Sequence, residues 1–207
     1  MDWKVKLMGR DSILKNETDS NESRSIVGEI IGIYKFSPVI LVLHVAGVIV
    51  AWLAPEDVLV QWPFLDVIVA GVGKVFPLIF GAVEKSKFPD VTALYFALML
   101  AAFPFRLLVG FRLLYAGQAK GRETYERLSM AGKAKVIFGA PFFLLCGIFV
   151  LVEGYYYEFN FIPISESRLW LGLVGPLFAG GAHIMCISLG LSWIWFFMTR
   201  IFSSKEE

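Results

Sequence analysis

The stretch Pro38–Pro55, PVILVLHVAGVIVAWLAP, decides how this chain is read, because it runs from one proline to the next without a charged side chain. As an α-helix Pro38–Ala54 is just long enough to cross the apolar core of a bilayer, which takes about 17–25 residues. Trp52 marks its exit at headgroup level, where tryptophan is favoured, and Pro55-Glu56-Asp57 ends it. A second run, Leu169–Ile187, is of the same kind.

Working outward, the composition agrees. The 207 residues are 57% hydrophobic and 18% charged, with a mean hydropathy of +0.67. An ordinary soluble domain has about 45–50% apolar and about 25% charged residues. The excess is concentrated in runs that no soluble core of this size needs. The expected fold is therefore an all-α, polytopic membrane protein with four transmembrane helices, over about 38–54, 91–115, 136–152 and 169–198. The domain organisation is then a cytoplasmic tail over 1–36, a membrane domain over 37–199 and a second cytoplasmic tail over 200–207. Residues 26–36 turn apolar around Glu29 and Lys35, which suits either an interfacial helix or an extension of the first span. The first apolar run begins too late for a cleavable signal peptide, so the first helix reads as an uncleaved anchor.

Val58–Val83 is ambiguous. It is apolar but carries Gln61, Asp66 and Lys74 and is broken by Pro63, Pro77, Gly71 and Gly73. A fifth span, a re-entrant hairpin and helices lying at the interface all suit it. Basic residues decide between them. With four spans and the N-terminus inside, thirteen Lys and Arg fall inside and only four, Lys74, Lys85, Lys87 and Arg168, fall outside. A fifth span would put the basic 117–135 loop outside, against the positive-inside bias. The expected location is thus a multi-pass membrane, the bacterial inner membrane or its equivalent, with both termini cytoplasmic. The acceptor patterns Asn16-Glu17-Thr18 and Asn21-Glu22-Ser23 would then be hidden from a glycosylating compartment.

Residues that carry chemistry are few. Both histidines, His44 and His183, lie in expected spans, where a polar group should face protein or a cofactor rather than lipid. Two histidines on opposed helices are one way to hold a b-type haem, at roughly 12 Å and roughly 15 Å from the inner boundary if Phe36 and Trp193 mark it. Moving that boundary to Arg200 spoils the match. The alternative is a pair of packing histidines bonded to neighbouring helices. Gly175, Ala179, Ala182, Cys186 and Gly190 make a small-residue stripe beside His183, suited to close helix approach. Arg112 is placed to snorkel. Arg106 lies deeper with no acid in any span to pair with, which leaves snorkelling, an anionic lipid headgroup or an acid of a partner chain. Tyr155, Tyr156, Tyr157, Phe159 and Phe161 crowd one outer loop, as an aromatic belt or as a docking surface.

Much is excluded. The net charge is +1 and no basic stripe interleaves with aromatics, so nucleic acid is not an expected partner. Cys146 and Cys186 form no CxxC pair. No metal-ligand cluster, phosphate loop or catalytic triad is present. The expected function is a non-catalytic membrane subunit docking to other membrane protein subunits. The alternatives are a haem-bearing electron-transfer subunit using His44 and His183, and a small transporter or channel component using Asp66 and Lys74.

Overall fold

A computed structural model describes residues 37–116 and 118–203. The tail over 1–36, with its interfacial segment and both asparagine acceptor sites, lies outside the described residues, as do residues 204–207. The chain divides into two units, Met1–Leu41 and Val42–Glu207. Of the first, only Ser37 and the opening residues of the helix that begins at Pro38 are among the described residues. The second holds the rest of that helix and every later element.

Among the described residues the structure is helical, with one isolated bridge between Phe159 and Ile162 and no strand. In chain order the helices are α1 (Pro38–Leu53), α2 (Val58–Gln61), α3 (Pro63–Val75), α4 (Leu78–Lys85), α5 (Pro89–Ala101), α6 (Phe103–Ala116), α7 (Gln118–Arg127), α8 (Met130–Glu153), α9 (Arg168–Pro176) and, after a π-turn at Leu177–Gly181, α10 (Ala182–Ser203). Met130–Glu153, with 24 residues, and Arg168–Thr199, with 32 through its break, are each long and apolar enough to cross a membrane. Up to four crossings result if each bent helix pair is one span.

Local chemistry explains the boundaries. Pro63 and Pro89 open α3 and α5, where the missing N–H is no loss. Ser129 caps α8 by accepting from the Gly132 amide at 3.2 Å. That cap starts α8 at Met130, earlier than the hydropathy boundary at 136, and carries Lys133 and Lys135 on a helical extension. Gly154 closes α8 at φ 72°, the left-handed position that glycine adopts without steric cost.

The apolar run over 91–115 is two helices, α5 and α6, bent by 52° at Ala102. Pro104, just inside α6, has no N–H to donate back to Leu100, so the helical ladder is interrupted there. The run over 58–83 is neither straight nor flat. Its helices α3 and α4 meet at Phe76-Pro77 with a bend of 119°, which turns the chain back on itself.

The core is built around α5. Tyr95, Phe96, Met99 and Leu100 are fully buried, and Leu78, Ile79 and Ala82 of α4 join them in one cluster with Val69 of α3 and Leu171 of α9. At the other end, Tyr125 of α7 packs its ring against Trp193, Phe196 and Phe197 of α10. By contrast α8 exposes Phe138, Phe142, Leu145, Phe149 and Val152, an apolar face suited to lipid.

Candidate functional site

The fourth apolar run is broken in its middle. Ala179 has ψ 56° and Gly180 has φ 80°, so the ladder between α9 and α10 is interrupted and frees carbonyls that an unbroken helix would use. Arg106 meets them. Its guanidinium donates to Pro176 O at 2.6 Å and Ala179 O at 2.9 Å on the break, and to Met99 O at 3.2 Å at the end of α5. Three charge-assisted bonds of this kind are each worth about 1.5–3 kcal/mol. The acid that Arg106 lacks among the spans is thus replaced by carbonyl dipoles from its own chain. Arg112 is exposed on α6.

The small-residue stripe also serves the chain's own packing. A side chain at Gly175 would run into the Tyr95 ring, and one at Gly190 into Ala140 and Leu144 of α8. Ala179 is fully buried in the core and Ala182 is half-buried. Gly47 in α1 faces Tyr95 and Met99 in the same way, and Gly147 in α8 faces the backbone of His183. The stripe lets α10 approach α8 and lets α9 approach α5. The Tyr95 hydroxyl is buried with no hydrogen-bond partner among the described residues.

The loop after α8 is tied down from within. Side chains alternate as in extended chain, with Tyr155, Tyr157 and Phe159 exposed and Tyr156 and Glu158 partly buried between them. Glu158 accepts from the Ser165 amide at 2.9 Å, the Ser165 hydroxyl at 2.5 Å and the Tyr156 hydroxyl at 3.0 Å. Lys85 at the end of α4 donates to Tyr156 O, the Lys87 amide donates to Ser165 O, and the Lys87 side chain pairs with Glu166. Burial raises the Glu158 carboxyl, but the Ser165 and Tyr156 hydrogen bonds and the nearby Lys85 charge outweigh it and hold the group below its ordinary value. Burial, then the Glu158 charge and hydrogen bond, push the Tyr156 phenol up. Phe159 and Phe161 stack with centroids 5.3 Å apart, both exposed. The loop forms an aromatic cap held by these hydrogen bonds.

His183 opens α10 beneath that cap. It is 7% exposed, and neither ring nitrogen has a hydrogen-bond partner among the described residues. The imidazole meets the Tyr157 ring edge-on at 6.2 Å and lines a cavity of about 70 Å³ with Leu78, Tyr156, Phe159 and Phe178.

His44 lies elsewhere, half-buried on α1 and in electrostatic range of Arg106. It does not line the His183 cavity. Asp66 and Lys74 are exposed on α3. Cys146 and Cys186 are free thiols. Among the described residues no group of His, Cys, Asp and Glu is placed to hold a metal.

Tyr95, Glu158 and Ser165 contribute to these arrangements although the sequence pattern does not single them out. Only Glu158 leaves a trace, as an acid set in a period-two aromatic run. No family model, curated protein or solved structure matches this chain. Its class rests on its own physics: an all-helical protein with at least two helices able to cross a membrane.

Proposed function

We propose that this chain is a non-catalytic integral membrane subunit that docks to a partner membrane protein through its outer aromatic cap. One observation carries the reading. Glu158, Ser165 and Lys85 hold the cap from inside, while Tyr155, Tyr157, Phe159 and Phe161 remain exposed. Aromatic side chains are enriched in interface cores, and a surface already ordered loses less entropy on binding. Arg106 and the small-residue stripe, spent inside the chain, no longer argue for a partner.

The membrane arrangement belongs to the same proposal. Four crossings are assigned to α1, the bent pair α5–α6, α8, and α9–α10, with both ends inside. The 119° turn between α3 and α4 supports a re-entrant hairpin on the outer side, and the distribution of Lys and Arg supports the orientation. Single cysteines at Lys87 and Lys133, in a variant without Cys146 and Cys186, test it. Lys87→Cys should react with an impermeant maleimide from outside and Lys133→Cys only after lysis. Labelling of both from one side would sink the topology.

The docking test is a photocrosslinking amino acid placed at Tyr155 or Phe161 in native membranes, with Phe142 on α8 as the comparison. A discrete protein adduct of one mass from the cap positions, missing from Phe142, is expected. Lipid adducts alone from all three positions would leave the cap as a headgroup belt and remove the docking function.

A further inference from the structure

Three residues of the docking surface, Tyr155, Tyr157 and Phe159, also line the cavity beneath it, and that cavity contains a buried polar side chain with unmet hydrogen-bonding capacity. We propose that it receives the uncharged carbonyl- or hydroxyl-bearing head of a membrane-soluble amphiphile, with His183 as the hydrogen-bond partner.

The imidazole sets the chemistry. A neutral histidine offers one donor and one acceptor, and buried groups of this kind are normally satisfied. Here neither nitrogen has a partner among the described residues, although the ring is held edge-on by Tyr157 and lines an open space. The lining sets the charge of the ligand. His183, Tyr156, Tyr157, Phe159, Leu177 and Phe178 bring no carboxylate and no ammonium or guanidinium group. Glu158, between the lining residues Tyr157 and Phe159, is committed to Ser165 and Tyr156, and Lys85 to the Tyr156 carbonyl. A charged head would enter without a counter-charge, so a neutral one is favoured.

Size sets how much of the ligand enters. At about 70 Å³ the space is about half that of the roughly 150 Å³ cavity known to take a benzene ring. It therefore accepts one polar group with an adjoining carbon or two. The rest of the molecule leaves past Tyr155, Tyr157 and Leu177, which are exposed, toward the apolar faces of the helices. A quinone-type ring entering by one carbonyl edge and an acylglycerol entering by its hydroxyl share this chemistry.

The test is thermal unfolding of the whole chain in mild detergent, titrated separately with a decyl-substituted benzoquinone and with dioctanoylglycerol. Wild type should show a saturable rise in Tm with at least one probe, and the probe that works identifies the source. His183→Leu should weaken the apparent affinity by about tenfold, the worth of one hydrogen bond, with His183→Gln recovering part of it. Ala182→Leu, which fills the space, should abolish the rise. No saturable rise with either probe would mean that the cavity holds only water, and the proposal fails. Equal rises in wild type, His183→Leu and Ala182→Leu would overturn it as general partitioning. If the variants do not fold, a diazirine analogue of dioctanoylglycerol or of the quinone on wild type decides. Label on Tyr157 or Phe159 that unlabelled probe competes away supports the site. Uncompeted label along α8 overturns it.

Discussion

The Arg106 guanidinium donates to the Pro176 carbonyl across 70 residues of chain, at 2.6 Å. With the bond to Ala179 it caps the end of α9 in the way a backbone N–H of the next turn would. The break and the arginine therefore depend on one another: each removes an isolated polar group that the other would leave in an apolar surrounding.

Replacing Arg106 tests that dependence. Arg106→Met keeps the length and removes the donors, so three carbonyls lose the guanidinium, and a loss of about 3 kcal/mol or more is expected. Arg106→Lys keeps the charge but loses the planar fork that reaches several carbonyls, and should fall between. Thermal unfolding in detergent measures the loss, and hydrogen exchange over 174–184 should show it locally. Wild-type stability in Arg106→Met would mean that the three bonds contribute nothing.

Gly180 is the second half of the same device. Its φ of 80° disfavours any Cβ, and one placed there would also crowd Leu100. Gly180→Ala should cost about 1–2 kcal/mol. In a double-mutant cycle with Arg106→Met the two losses should fall short of additivity, since both open the same break. Strict additivity would separate them.

The aromatic cap should be sensitive to acid. The Glu158 carboxyl is held below its ordinary value, 4.5, so the folded cap binds its proton less readily than the unfolded chain. Its stabilising contribution is complete above that value and is lost as pH falls from it through the lower folded one. Limited proteolysis of the 154–167 loop should accelerate over that window. In Glu158→Gln the acid-dependent increment should vanish and the loop should be cleaved faster at neutral pH.

A reduced-minus-oxidised visible spectrum of the purified protein should be flat. This follows from the proposed docking role, which uses no haem, and from His44 not being among the residues that line the His183 cavity. A b-type difference spectrum that disappears in both His44→Ala and His183→Ala would reverse this.

Membrane-capable helices were legible in the sequence because hydropathy and the helical rise are local properties, read over about 20 consecutive residues. The trouble in 58–83 was visible too, since Pro77 and the glycines announce a turn, though not its angle. Pro104 and Pro176 lie at the two interrupted helices, but Pro141 sits inside α8 without a break, so a proline alone does not tell where a helix is interrupted. The role of Arg106 was not legible, because a search for an acid overlooks carbonyls that become acceptors only once Gly180 takes a left-handed conformation. The glycine stripe was recognised as an approach surface, but spacing cannot say whether the approaching helix belongs to the same chain.

The sequence by itself determined that the chain is helical and apolar enough to enter a membrane, and which stretches carry its few polar side chains. Tertiary structure alone decided what those side chains meet. The partners of Arg106 lie 7, 70 and 73 residues away, and the surroundings of His183 come from the first residue of α4, the loop after α8 and the break. Hydrophobicity accumulates along a segment, whereas a hydrogen bond needs two distant groups within about 3 Å, and only the packed fold brings them there.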